Sequence, residues 1–523
     1  MSRPTEHREV ELKFRVGPDF ALPDLVGTGA VTSVAVQNPF VMTAVYHDTE
    51  SLSLFRWRTT LRRREGGADE GWHLKLPVAG ADETSRDEVR MPLSAGPIGA
   101  VPAALVDVIA PLVRGESLTP QVTIRTVRAP HLLLNADGEQ LLELVVDAVS
   151  VLDASGQVSD EFHEVEVEML DHLNTSSERM LQRVVAALLD AGAVPGSTSK
   201  AASALGPRAS APPDIPPVVM PTERGLAADA IRSAIATHVR HLLFADVAVR
   251  RDLPDSVHQM RVAARRLRSV LKTFAPLLDG DWASSLGDEL AWLAAELGAI
   301  RDTEVLLARL DLHALELRGE VAATPGDDAE LARAIIELRL GQRLANARSG
   351  ALAALRSDRH EWLLEDLVQA AQSPAVSDEA YRPCEEVLPS LVARTWHSLE
   401  ASVHALEVDG PSEAWHRARI KAKRARYAAD AVAPVFGKAF VHYASMLAEV
   451  TESLGEHQDA AVAQLTVRAL ATAEGVDGRT GFALGRLHEI EVHREVLSRY
   501  QLLDSWHRVR RVAKRTGLAR RGH

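Results

Sequence analysis

The stretch Glu9-Val10-Glu11-Leu12-Lys13-Phe14-Arg15-Val16 alternates charge with apolar bulk. On a strand successive side chains point to opposite faces, so Glu9, Glu11, Lys13 and Arg15 share one face and the apolar residues share the other. Downstream the pattern recurs: Arg62 with Arg64, His73 with Lys75, Arg86 with Glu88 and Arg90, Glu143 with Asp147, and Glu164 with Glu166 and Glu168. Period-two runs over Val10–Val16, Thr59–Arg64, Trp72–Leu76, Glu88–Leu93, Gln121–Thr126, Leu141–Val149 and Phe162–Met169 are separated by turn signals such as Gly66-Gly67 and Asp137-Gly138. A helix is expected over Ser176–Ala191, where Met180, Val184 and Leu188 recur at helical spacing. The N-terminal part therefore reads as an antiparallel sheet with one charged face. Periodicity alone leaves two readings open, the solvated outside of a sandwich or the lumen of a barrel. Segregation by sign favours the lumen. The first and last strands are rich in carboxylates, which suit a hard cation such as Mg²⁺, and the middle strands carry Arg and Lys, which suit phosphate oxygens.

At 523 residues the chain is long enough for two or three domains. Its hydrophobic fraction of 46% and charged fraction of 25% are ordinary for a globular protein. Aromatics make up 4%, which disfavours base-stacking platforms and hence nucleic acid as a partner. The single cysteine, Cys384, can form neither an internal disulfide nor a thiolate metal site, and fits a reducing compartment. The N-terminal residues contain no apolar signal region and no stretch reaches the length of a membrane span, so a cytoplasmic protein is expected. With a net charge of −13 the chain as a whole repels polyanions, so any phosphate binding must come from local basic clusters.

The proline-rich stretch around residues 206–224 reads as a linker between domains 1–205 and 225–523. Beyond it the apolar period is helical, over Ala227–Ala248, Pro254–Phe274, Trp282–Leu310, Ala329–Leu355, Tyr381–Leu406, Glu413–Ala433, Tyr443–Ala471 and Arg479–Leu502. This all-α half repeats itself. His258-Gln-Met-Arg261-Val-Ala-Ala-Arg265-Arg266-Leu-Arg268 aligns with His416-Arg-Ala-Arg419-Ile-Lys-Ala-Lys423-Arg424-Ala-Arg426, and Leu297-Gly298-Ala-Ile-Arg301-Asp302 aligns at nearly the same offset with Leu454-Gly455-Glu-His457-Gln458-Asp459. Two copies of a helical unit about a pseudo-twofold axis account for both matches. His258, Arg261, Arg265, Arg268 and Lys272, at spacings of three and four, fall on one helical face, as do His416, Arg419, Lys423 and Arg426 beside Arg424. Like charges so spaced repel unless an anion neutralises them, which points to a long linear polyanion rather than a metal. A solvated basic face is the competing account.

Glu9-Val-Glu11-Leu-Lys13 resembles the ExExK signature of the CYTH superfamily, the triphosphate tunnel metalloenzymes. Tyr46-His-Asp48-Thr49, Leu61-Arg62-Arg63-Arg64, Leu74-Lys75-Leu76, Arg86-Asp-Glu88, Glu164-Val-Glu166-Val-Glu168 and Ser199-Lys200 follow in family order. The resemblance implies an α+β chain with an N-terminal eight-stranded antiparallel β-barrel tunnel. It implies phosphate contacts from Lys13, Arg62, Arg64, Lys75, Arg86, Arg125 and Lys200. Metal ligands would be Glu9, Glu11, Asp147, Glu166 and Glu168, with Glu88 and Glu143 orienting water or neighbours. The reaction implied is Mg²⁺- or Mn²⁺-assisted hydrolysis of a phosphoanhydride, with inorganic triphosphate as the expected substrate, since no base-cradling aromatics stand out in the motif strands. The second half resembles the CHAD domain, through HxxRxxxRRxR at His258, its copy at His416, and LGxxxD at Gly298 and Gly455. That resemblance implies binding of inorganic polyphosphate. The alternative is a non-catalytic polyphosphate-binding protein targeted to polyphosphate granules.

Overall fold

The structure, a computed structural model, describes residues 5–78, 85–96, 99–153, 155–169, 175–196, 199–317 and 327–518. It divides into two compact units, Met1–Pro216 and Pro217–His523.

The first unit contains β1 (Thr5–Val16), β2 (Ser33–Val36), β3 (Phe40–Asp48), α1 (Ser53–Arg56), β4 (Thr60–Glu65), β5 (Gly71–Pro77), β6 (Ser85–Met91), α2 (Ala103–Val113), β7 (Thr119–Leu134), β8 (Gln140–Leu152), β9 (Val158–Met169), α3 (Thr175–Asp190), β10 (Val194–Gly196) and α4 (Lys200–Leu205). The strands form one 10-stranded antiparallel sheet in the order β10-β1-β6-β5-β4-β3-β7-β8-β9, with β2 on β7. Where eight strands are expected, two short ones, β2 and β10, are added beside β7 and β1. The opening strand divides its pairing: Thr5–Val10 lie against β6 and Glu11–Val16 against β9. Strands β2 and β3 and the helix α2 fall outside the sequence-based runs; β3 reads Phe-Val-Met-Thr-Ala-Val-Tyr, whose burial alternates while neither face carries a charge to mark it.

The apolar face of β1, β8 and β9 is covered by α3. Phe14, Val16, Leu142, Leu144, Val165 and Val167 pack there against Met180, Val184 and Leu188. Truncating a buried leucine such as Leu142 to alanine costs about 2–5 kcal/mol. With that face covered, Lys13, Asp147, Glu164 and Glu166 stand on the opposite face of these strands.

The proline-rich stretch is anchored over much of its length. Arg56 Nε donates to the Pro212 carbonyl at 2.7 Å, Arg114 pairs with Asp214, and Ile215 is buried. Further on, the Cys384 and Glu385 amides donate to the carbonyls of Gly225 and Glu223 at 2.9 Å.

The second unit is helical: α5 (Ala227–Arg250), α6 (Ser256–Thr273), α7 (Gly280–Glu296), α8 (Gly298–Ala314), α9 (Asp328–Leu355), α10 (Asp358–Gln372), α11 (Cys384–His404), α12 (Ser412–Phe436), α13 (Lys438–Ala471) and α14 (Gly478–Arg515). The two copies differ at their glycine motif. In the first the chain breaks at Leu297, so Gly298 starts α8, whereas Gly455 lies inside the unbroken α13. The separate helix α10, capped by the Ser357 hydroxyl accepting from the His360 amide, was not anticipated. Among the described residues no helix is long and apolar enough to cross a membrane.

Candidate functional site

A cavity of about 590 Å³ lies within the first unit, walled by the inward residues of the sheet and by Ser199 and Lys200 at the start of α4. The Ser199 hydroxyl caps α4 by accepting from the Ala202 amide, and this fixes where Lys200 enters.

At one end of the cavity Asp147, Glu164 and Glu166 bring carboxylate oxygens within 4.8 Å of one another, all three buried. Their charge is matched by three cations. Lys200 Nζ lies 2.9 Å from Asp147 and 2.8 Å from Glu166, and also pairs with Glu164. Lys13 Nζ meets Glu166 at 2.6 Å. Arg128 grips Asp147 through Nε and Nη2 at 2.9 and 2.6 Å and reaches Glu166 at 2.6 Å. Burial would raise the Glu166 carboxyl, but the charges of Lys13, Lys200 and Arg128 outweigh it and hold that carboxyl well below the usual range. For Glu164 burial prevails over the Lys200 charge, and the neighbouring Glu166 adds to the upward shift. Burial would likewise lower the Lys200 ammonium, yet Glu166, Asp147 and Glu164 raise it above its ordinary value.

A second cluster centres on Glu88, which is wholly buried. His73 Nδ1 lies 2.9 Å from it, Lys75 Nζ 3.8 Å and Arg62 4.0 Å, and Arg90 pairs with it directly. Burial raises this carboxyl, but the His73 hydrogen bond and the Lys75 and Arg62 charges overturn that and keep it ionised. Arg62 Nη1 donates to Tyr46 Oη at 3.3 Å. Arg64 pairs with Asp69, and burial together with the Arg62 and Arg128 charges pushes its guanidinium down to about 9.

Of the residues expected here, Lys13, Arg62, Arg64, Lys75, Lys200, Glu143, Glu166 and Glu168 line the cavity, and Asp147 is fully buried against it through Arg128 and Lys200. Glu88 lies behind the wall, beneath Arg62 and Lys75. Arg86 is half-buried on the same face of β6 as Glu88 and Arg90, but is not among the described lining residues. The side chains of Glu9 and Glu11 lie outside those described; by backbone register Glu9 is opposite Arg86 and Glu11 opposite Glu168. Arg125 is placed elsewhere. It is exposed, because the inward positions of β7 are Ile124, Thr126 and Arg128. The inward cation of that strand is Arg128, which sits in register with Asp147. Reading the alternation of β7 two residues beyond Thr126 reaches Arg128, whereas a strand ended at Thr126 leaves Arg125 as the last cation.

The carboxylate trio fits a hard divalent cation by donor type, since all donors are oxygens and Glu164 is a carboxyl whose buried charge is poorly compensated. Its competitors are the three side-chain cations already in contact.

In the second unit the two basic stripes come together. Arg261 Nη1 donates to the Gly298 carbonyl at 3.2 Å and to Asp302 at 2.9 Å; in the other copy Arg419 stands 3.9 Å from Asp459. The two aspartates therefore orient equivalent arginines. Lys423, on α12, is pushed down to about 7 by burial and by the charges of Arg419 and of Arg265 on α6, so the stripes share one field. The Nε atoms of Arg265, Arg266 and Arg268 are buried without hydrogen-bond partners. The copies differ beside their histidines. His258 is lowered by burial and by Arg301, whereas His416 Nδ1 contacts Gln458 Oε1 at 2.6 Å. Arg426 donates to Thr451 Oγ1 at 3.1 Å. Lys272 and Arg424 stand apart from the stripes' centre: Arg424 Nη2 donates to the Lys272 carbonyl at 2.9 Å, and both line a separate cavity.

A family model for the CYTH domain matches residues 7–185, and one for the CHAD domain matches residues 233–468. Uncharacterized proteins from two strains of Mycobacterium tuberculosis are each 35% identical to this chain over 525 residues, covering 96% of either partner. Among solved structures, PptA from Streptomyces chartreusis matches 54% of this chain and 100% of its own at 23% identity, with a TM-score of 0.47. The CHAD domain from the plant Ricinus communis matches 55% of this chain and 94% of its own at 25% identity, with a TM-score of 0.44.

Proposed function

Because this chain belongs to the family that joins a CYTH domain to a CHAD domain, we propose that its first unit hydrolyses inorganic triphosphate with Mg²⁺ or Mn²⁺ inside a closed eight-stranded tunnel, and that its second unit binds inorganic polyphosphate. The pairing of β1 with both β6 and β9 supports the closed tunnel. One observation carries the catalytic reading: Lys13, Arg62, Arg64, Lys75, Arg128 and Lys200 surround the same cavity that abuts the buried trio Asp147, Glu164 and Glu166.

An entering triphosphate would compete with the carboxylates for Lys13, Arg128 and Lys200. Each of these cations would exchange a carboxylate partner for a phosphate oxygen, which leaves Asp147, Glu164 and Glu166 able to hold the divalent cation, with Glu168 beside them and Glu9 and Glu11 from β1 in support. When bound, that cation supplies charge neutralisation on the transferred phosphoryl and leaving-group oxygens. Arg62, Arg64 and Lys75 would grip the remaining phosphates, and Glu88, held ionised behind them, fixes the direction in which Arg62 and Lys75 point. Glu143, half-buried on the wall, would orient the attacking water and take its proton. The water oxygen bonds to the terminal phosphorus, the anhydride P–O bond breaks, and phosphate and diphosphate leave.

In the second unit Arg261, Arg265, Arg268, Arg419, Lys423 and Arg426, with His258 and His416 at the stripe ends, would neutralise successive phosphates of a chain. The buried unpartnered Nε atoms support this, since an anion would satisfy them. A non-catalytic polyphosphate binder is the second reading, favoured by the existing neutralisation of the carboxylate trio by Lys13, Arg128 and Lys200.

The deciding measurement is phosphate release from tripolyphosphate by the full chain, with and without Mg²⁺, compared with Glu166→Gln and Glu9→Gln/Glu11→Gln proteins that retain their fold. Metal-dependent release lost in both variants supports the hydrolase. Undiminished release in the variants rejects the site, and binding without release favours the second reading.

A further inference from the structure

At the C-terminal end of α6 a cavity of about 500 Å³ opens between that helix, α11 and α12. Ala275, Pro276, Leu391 and Ile420 give it apolar walls, and Ile420 is 55% exposed. Lys272, Arg394, Lys421 and Arg424 stand around it, and no carboxylate is among the residues that line it. Arg424 is committed to the Lys272 carbonyl, which offsets the negative end of the α6 dipole. Lys272, Arg394 and Lys421 make no side-chain ion pair among the described residues. At the floor Thr273 is 4% exposed, and its Oγ1 has no hydrogen-bond partner.

Lys421 and Arg424 are not an extension of the stripe on α12, whereas Lys272 ends the stripe on α6. On that helix the buried Ala418, Ala422 and Ala425 lie between the flank that bears Arg419 and Lys423 and the flank that bears Lys421 and Arg424. Apolar walls gain nothing from an inorganic phosphate chain, while unpaired cations over an apolar floor gain nothing from a neutral lipid. Without an aromatic ring in the lining, a planar aromatic body has no stacking partner, whereas an aliphatic chain matches Ala, Pro, Leu and Ile.

We propose that this cavity binds a single-chain amphipathic anion. Its aliphatic chain lies on Pro276, Leu391 and Ile420, and its carboxylate or phosphate head meets Lys272, Arg394 and Lys421, with Thr273 Oγ1 supplying a buried hydroxyl. Fatty acids and lysophospholipids share this chemistry. The site is independent of the tunnel, and of its head-binding cations only Lys272 belongs to a basic stripe.

The test is calorimetric titration of the full chain with octanoate, decanoate and dodecanoate below their micelle concentrations, with lysophosphatidic acid, and with tripolyphosphate. One binding event is expected whose affinity rises about fourfold per added methylene. Arg394→Glu and Ile420→Asp, both at exposed positions, are expected to weaken it at least about tenfold, equivalent to about 1.4 kcal/mol, with an unchanged melting temperature. Tighter binding of lysophosphatidic acid than of the fatty acids assigns the head as phosphate, and the reverse order assigns it as carboxylate. The proposal is overturned by absence of binding, by affinity that ignores chain length, or by both variants binding as the parent does. It is also overturned if tripolyphosphate binding falls in Arg394→Glu and Ile420→Asp as far as fatty-acid binding does.

Discussion

Lys200 and Glu166 stand 2.8 Å apart, one at the first turn of a short helix and the other midway along β9. The contact ties α4 to a strand whose partners are β1 and β8, so the ammonium group completes a cluster it does not share a sheet with. Lys200→Met leaves buried carboxylates short of a cation, and removing one partner from such a cluster costs about 3–5 kcal/mol. Denaturant titration of the variant checks this. A loss below about 1 kcal/mol would mean that the cluster is hydrated and the pair of little consequence.

Acid sensitivity follows from Glu166 and Glu88, both held below the ordinary carboxylate range. A depressed carboxyl contributes stability that is fully present above its unfolded value, about 4.3, and that is lost as pH falls through the folded value. Glu164, raised by burial, acts in the opposite sense. The expected net result is a first unit whose denaturation midpoint changes little from neutrality to the ordinary carboxylate range and drops below it. Glu88→Gln flattens the drop while lowering stability at neutral pH.

Arg128 and Arg125 are three residues apart on one strand and face opposite ways. Arg128→Met is expected to lower tripolyphosphate turnover at least about a hundredfold, about 2.7 kcal/mol of transition-state stabilisation. Arg125→Met should stay within about twofold, under about 0.5 kcal/mol. Steady-state rates with matched circular dichroism spectra distinguish the two, and equal losses would contradict the inward assignment of Arg128.

Lys423, pushed down to about 7, gains a proton just where a polyanion would want it. Polyphosphate binding by the full chain is expected to tighten as pH falls from about 8 to about 6, and Lys423→Met should remove most of that slope. Folding without ligand runs the other way: a lowered ammonium means that the unfolded chain binds more protons between the two values, so stability rises with pH across that interval. Affinity measured at several pH values, at fixed salt because phosphate binding is salt-dependent, provides the readout.

The period of the first strand carried much of this structure, because Glu9 to Arg15 alternate without interruption and their apolar counterparts pack beneath α3. The helical copies were equally legible, since the paired motifs at His258 and His416 each fall on one helix and their aspartates meet equivalent arginines. Strand β3 was not, because from Phe40 to Tyr46 neither of its faces carries a charge: Met42, Ala44 and Tyr46 point inward and Val41, Thr43 and Val45 outward, so burial alternates but polarity does not. Arg128 escaped because β7 runs on past Ala129 and Pro130, where the charge pattern thins. The assembly of Asp147 with Glu164 and Glu166 depends on the register of β8 on β9, with Asp147 opposite Glu164, and such a register is set by pairings across turns rather than by local composition. Lys272 shares the spacing of its stripe and Arg424 lies beside the other, yet a helix wheel cannot report that the carbonyl of one captures the side chain of the other.

The second half of the opening strand is made long before the strands that secure it. Lys13 meets Glu166 across a separation of 153 residues, and its other edge takes up Gly196 later still. As the chain leaves the ribosome, Thr5–Val10 can pair with β6, but Glu11–Val16 must wait with open edges until nearly the whole first unit has been synthesised. Contacts so distant in sequence make for slow folding and a prolonged exposure of unpaired strand edges. Truncations that end before β9 should therefore accumulate as aggregates rather than as a smaller folded sheet.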